Sequence, residues 1–193
     1  MMLSKVRLFL TATIVAALAC SFTLQASAPQ GWILAGSKPA NYDTGVDPQA
    51  KYRDASSAYL KSKTPVEGEI GFGTLMQSFR AERYLGKKVR LTGFVKSEGV
   101  QGWAGLWMRV DKNSQVVAFD NMENRAIKGT SDWQRYEVVL SVPKDATGIS
   151  LGILLAGPGT VWLNNTNFEV VESDVSTTGS TLPDSPTNLN FQN

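Results

Sequence analysis

Histidine is absent from all 193 residues, and cysteine occurs once, as Cys20. Those two shortages exclude a Ser-His-Asp triad, a Cys-His pair and an ordinary zinc site in one step. Chemistry that needs only carboxylates, such as glycoside hydrolysis, survives the exclusion. Long apolar runs are also missing. The longest, Leu8 to Ala19, contains two threonines and falls short of the about 20 residues needed to cross a bilayer core.

That run is flanked by Lys5 and Arg7 before it and by Ala26-Ser27-Ala28 after it. Positive start, short apolar stretch and small-x-small site together predict a cleavable signal peptide over residues 1–28. Cleavage after Ala28 leaves no thiol, so disulfides and cysteine nucleophiles are not expected. Lipidation at Cys20 is the alternative, but Ala17-Leu18-Ala19 fits the required motif poorly. Charge of one sign is lacking too. Without Lys5 and Arg7 the chain has 17 cations against 17 acids. A neutral protein lacks the electrostatic drive for nucleic-acid binding, so nucleic acid is not an expected partner.

From residue 29 to residue 172 turn residues recur about every ten positions, with period-2 alternation between them. Val89, Leu91 and Val95 alternate, as do Ala104, Leu106, Met108 and Val110. Tyr136, Val138, Leu140 and Val142 follow, then Ile149, Leu151, Ile153 and Leu155. Strands this numerous, separated by Gly, Pro and Asn turns, predict one all-β antiparallel sandwich. Met76 to Leu85 has helical spacing in part, but Gly73 to Phe79 reads as a strand with a loop or single turn over 80–86. Residues 173–193 are rich in Ser, Thr, Pro, Asn and Asp and are expected to form a disordered tail.

Gly31-Trp32-Ile33-Leu34-Ala35-Gly36-Ser37, Ser56 to Ser62 and Lys87 to Lys96 follow one another in an order met elsewhere. Asp132-Trp133-Gln134-Arg135-Tyr136 and Gly159-Thr160-Val161-Trp162 complete it. The series resembles the galactose-binding-like jelly rolls, among them carbohydrate-binding modules and uncharacterised bacterial relatives fused to regulators and hydrolases. The resemblance implies a jelly-roll domain over residues 29–172, with Ser56 to Ser62 as second strand. It says less about ligand, because this fold hosts many functions. Where many relatives carry paired aspartates after the Val-Trp strand, this chain has Asn164-Asn165. A calcium-dependent site and a cofactor are therefore not expected, hard cations preferring carboxylate oxygens.

The most informative segment runs from Gln101 to Arg109. With Ala104, Leu106 and Met108 inward, alternation turns Trp103, Trp107 and Arg109 to the opposite face. Two Trp with Gly105 between them suit stacking against a sugar ring, and Arg109 suits hydroxyls or a carboxylate. The competing reading makes the Trp pair a second layer of core. Asp120 and Asn121 could add polar contacts to the same ligand or serve only as turn formers. Gln77 and Arg80 are weaker candidates of that kind. Trp32, Trp133 and Trp162 are assigned to packing. Asp111, Asp120 and Glu123 are the acids near that face, and none has an apolar setting that would raise its pKa for catalysis. The expected function is an exported non-catalytic module, periplasmic or extracellular, binding a glycan or polyol. A structural or protein-interaction domain of the cell envelope is the alternative.

Overall fold

The computed structural model describes residues 27–63, 71–179 and 189–190. The expected signal peptide lies outside the described residues except for Ser27 and Ala28. Among the described residues the strands are β1 (Ile33–Gly36), β2 (Tyr42–Tyr52), β3 (Ala55–Ser62), β4 (Phe72–Arg80) and β5 (Lys88–Lys112), then β6 (Gln115–Asp120), β7 (Ile127–Ser141), β8 (Gly148–Ala156) and β9 (Thr160–Val171). All described pairings are antiparallel, in one curled sheet.

The sheet folds into two layers because β5 belongs to both. Its first half pairs with β7 on one side and β9 on the other. Its second half pairs with β6 and β8. One layer therefore reads β1-β4-β8-β5-β6 and is called the front; the back layer reads β2-β3-β9-β5-β7. The strand passes between them near Gly99, whose φ is 59°, and Gly102. A Cβ on Gly102 would collide with the Ala156 carbonyl, so only glycine permits this approach. Sequence alternation had separated residues 89–96 from residues 103–110, since glycines usually mark breaks. Here they mark a bend in a continuing strand.

The core lies between the layers. Leu75 of β4, Ile153 of β8 and Leu106 of β5 stand side by side by register and are essentially sealed from water. Val89, Leu91 and Val95 line the opposite wall with Leu60, Val161 and Leu163. Residues 73–79 form a strand, and the helical spacing beyond them supports only a single 3-10 turn over Glu82–Tyr84. Ser56 to Ser62, second strand by the resemblance, lies in the third, β3; β2 precedes it, joined by a two-residue turn at Arg53 (φ 47°) and Asp54 (φ 67°).

Residues 173–179, placed in the tail by composition, lie against the sandwich. Thr178 N donates to the Val139 carbonyl at 3.0 Å, Val139 N donates to Thr178 Oγ1 at 2.7 Å, and Lys88 Nζ donates to the Val175 carbonyl at 2.6 Å. The sandwich thus extends past residue 172.

Candidate functional site

Alternation that buries Leu75, Ile153 and Leu106 turns their neighbours outward on the front layer. Trp107 stands opposite Gly152 of β8, and Gly152 opposite Met76 of β4. With no side chain at Gly152, the indole crosses β8 and its Nε1 donates to Thr74 Oγ1 at 2.7 Å. Thr74 in turn donates to the Ile153 carbonyl at 2.8 Å. Trp107 is outward by direction yet only 7% exposed. It is the floor of a hollow, and not the open platform its position in the sequence suggests.

That hollow, of about 320 Å³, is walled by Phe72, Met76, Leu154, Arg109 and Phe119. Arg109 and Phe119 are register partners on β5 and β6. Phe119 is 47% exposed. Arg109 Nε donates to Asp111 Oδ2 at 3.0 Å, and its side chain is 41% exposed. The guanidinium is thereby held at the rim with donors left over. An apolar floor, an exposed ring and a fixed fork of donors form a surface that can stack on a ring and bond its substituents.

The other expected contacts fall elsewhere. Trp103 is half-buried beside Ala156 and does not line this hollow. The place above Gly105 is filled, since a Cβ there would meet the Asn121 carbonyl at 2.7 Å and Met122 at 3.0 Å. Asp120 is buried and committed. Its carboxylate accepts from Met122 N (2.9 Å), Arg125 Nη2 (2.6 Å) and Thr178 Oγ1 (2.6 Å). Burial pushes the Asp120 pKa up, but the Arg125, Thr178 and Met122 hydrogen bonds together hold it below the usual carboxylate value. Asn121 Oδ1 accepts from Glu123 N at 3.1 Å. Asn121 and Asp120 line a neighbouring hollow that shares Phe119 with the first. The structure therefore joins Trp107 to Arg109, leaves Trp103 apart and uses Asp120 to hold a turn.

Phe72, Thr74, Met76 and Leu154 were not singled out in the sequence. Their signal is present: β4 and β8 carry apolar residues at outward as well as inward positions, whereas a solvated face alternates with polar ones. Trp133 and Trp162 face outward on the back layer. Trp133 packs at 5.5 Å against Tyr52, and Trp162 Nε1 donates to Asp47 Oδ2 at 2.8 Å. Among the described residues no group of His, Cys, Asp and Glu could hold a metal ion.

No family model matches the chain. An uncharacterized HTH-type transcriptional regulator of Bacillus subtilis (strain 168), YbfP, is 45% identical over 168 residues. The match covers 84% of this chain but 57% of that protein, so the chain spans little more than half of its relative. The CBM22-1 xylan-binding domain of Paenibacillus barcinonensis Xyn10C superposes with a TM-score of 0.52 at 16% identity, over 77% of this chain and 91% of that one. The Stig cyclase Fisc of Fischerella sp. TAU gives 0.52 at 20% identity, over 76% and 89%. With its curled antiparallel sheet, the chain has an antiparallel jelly-roll β-sandwich fold, which it shares with these neighbours.

Proposed function

We propose that the protein is an exported, non-catalytic module that binds a glycan or similar polyol in the front-layer hollow over Trp107. The observation that carries this reading is a sheet face apolar where it should be polar, with one well-held guanidinium at its rim. Phe119 and the edge of Trp107 offer stacking surface to a sugar ring. Arg109 offers planar donors to hydroxyls or a carboxylate. The xylan-binding domain supports the reading by fold, and fold alone does not choose a ligand.

Titration of the protein with a panel of soluble glycans, followed by tryptophan fluorescence and calorimetry, tests the proposal. At least one glycan is expected to saturate, and Phe119→Ala is expected to weaken it about tenfold, the equivalent of about 1.4 kcal/mol. Because Phe119 is exposed, the same change should leave the melting temperature within a degree or two. Binding unaffected by both Phe119→Ala and Arg109→Gln would move the site off this face. A second reading is favoured by Ile33, 56% exposed, and Val116, 52% exposed, which extend apolar surface on this layer and its β6 edge. There the same face docks against a protein partner, as a module linked to regulation would. Silence toward every glycan, with a Phe119→Ala-sensitive protein complex, selects that reading.

A further inference from the structure

A wider opening than the front-layer hollow lies not on the sheet face but between the layers. β1 pairs with β4 only at residues 73–76, which leaves Gln77 to Arg80 as an uncovered edge. Beside that edge a cleft of about 590 Å³ enters the sandwich, within the size range of small-molecule sites. Its floor is core: Leu91, Leu151 and Leu163 are all at least 96% buried. One wall is an edge-to-face triad, with ring centroids 5.9 Å apart for Phe79–Tyr84, 5.3 Å for Phe79–Phe168 and 5.1 Å for Tyr84–Phe168. Trp32 closes the other side.

Gln77 is the residue out of place. It stands in register with Leu151, which stands in register with Met108, and both of those are inward core positions. Alternation therefore asks for an apolar side chain at 77, yet an amide is there, lining the cleft. Among the described residues it has no hydrogen-bond partner. The rim opposite is built deliberately. Asn165, at φ 46°, makes a bulge in β9, and Asn164 Nδ2 pins it to the carbonyls of Ala55 (3.0 Å) and Ser56 (3.1 Å). Bulges re-aim side chains, and this one sets Asn165 and Thr166 at the mouth. Among the described residues no Lys, Arg, Asp or Glu lines the cleft. A charged ligand would enter without a counter-charge, at a desolvation cost nothing here offsets.

We infer that this cleft binds a neutral small molecule with a flat ring system and an amide-like edge that pairs donor and acceptor with Gln77. The ring lies between Trp32 and the Phe79–Tyr84–Phe168 wall. The apolar floor favours an aromatic ring over a fully hydroxylated sugar. This site is separate from the glycan reading above, and neither depends on the other.

The test uses naphthamide as probe, with naphthoate and naphthylmethylammonium as charged isosteres and methyl xyloside as a sugar control. Binding is read by saturation-transfer NMR and by fluorescence. Naphthamide should saturate, while both charged isosteres bind at least tenfold more weakly. Gln77→Leu should lose at least tenfold in naphthamide affinity while raising the melting temperature, because leucine completes the inward apolar row. A residue there for packing alone would not produce both changes. Ala58→Leu, which narrows the cleft without touching Gln77, should also abolish binding. Overturning results are no saturation by naphthamide of the folded protein, equal binding of the isosteres, preference for the xyloside, or full affinity in folded Gln77→Leu.

Discussion

Residues 88–97 of β5 turn Arg90, Phe94 and Lys96 outward on the back layer, and residues 103–111 of the same strand turn Trp103, Trp107 and Arg109 outward on the front layer. On the back layer each of these three groups meets a complement on another strand. Arg90 pairs with Glu169 of β9 at 2.6 Å, Lys96 approaches Asp132 of β7 at 3.5 Å, and Phe94 stacks on Tyr52 at 4.3 Å. On the front layer the neighbours across β8 are Ser150, Gly152 and Leu154, which offer Arg109 nothing charged. Its carboxylate, Asp111, comes from its own strand. Alternation decides which residues leave the core in both halves. Cross-strand neighbours decide whether the outer face is satisfied by the protein or left for something else.

The largest difference between the halves should appear on truncating their aromatic rings. We predict that Trp107→Ala costs about 3–5 kcal/mol, as for a buried aromatic removed with its space left open. It also strips the hydrogen-bond donor from Thr74. Phe94→Ala removes a partly exposed ring from a stacked pair and should cost roughly 1–2 kcal/mol. Urea unfolding of the two variants gives the ratio directly. Equal losses would mean that Trp107 is no floor and that the two faces are built alike.

Next in size is Asp120, which holds the turn beside the front hollow. Removing one partner of a buried ion pair costs about 3–5 kcal/mol, and Arg125 is one-third exposed, so Asp120→Asn should lie near or below the lower figure. The pH dependence follows from the sign of the shift. A carboxyl held below its unfolded value of about 3.9 contributes its full stability above that pH and loses it as pH falls through the folded value. Stability of the natural protein should therefore drop below about pH 4, and Asp120→Asn should flatten part of that drop. An acid limb identical in the two proteins sinks the assignment.

How far these features could be read from the sequence varies along the chain. Inward rows on β5, β7 and β8 were legible because period-2 alternation is a local property, and so was the strand over 73–79. β2 was not, because Asp43, Gly45, Asp47 and Pro48 give it no apolar period. It forms by pairing with β3 around a bulge between Asp47 and Lys51. Trp107 and Arg109 lie two residues apart on one face, so their association needed no tertiary knowledge. The locking of Asp120 did, since Thr178 is 58 residues away in a stretch that composition assigns to a tail. In the sequence Gln77 is only a weak polar candidate. Its inward position became visible once β4 had a register against β8.

The smallest effect is expected at Arg90 and Glu169. Arg90 donates to one carboxylate oxygen through both Nε and Nη2, at 2.9 and 2.6 Å, which makes it the best-formed pair on the back layer. The side chains remain 29% and 39% exposed, so water screens the attraction and the ordering of two long side chains opposes it. We predict that Arg90→Ala lowers stability by about 0.5 kcal/mol, and by less at 1 M salt, where the screening length shrinks to about 3 Å. Arg109→Gln on the front layer should change stability as little, yet it should alter ligand affinity, whereas Arg90→Ala should not. Two arginines on one strand, each beside a carboxylate, then differ only in what stands across from them. If Arg90→Ala weakens glycan binding as much as Arg109→Gln, the division of the strand into a self-satisfied half and a binding half fails.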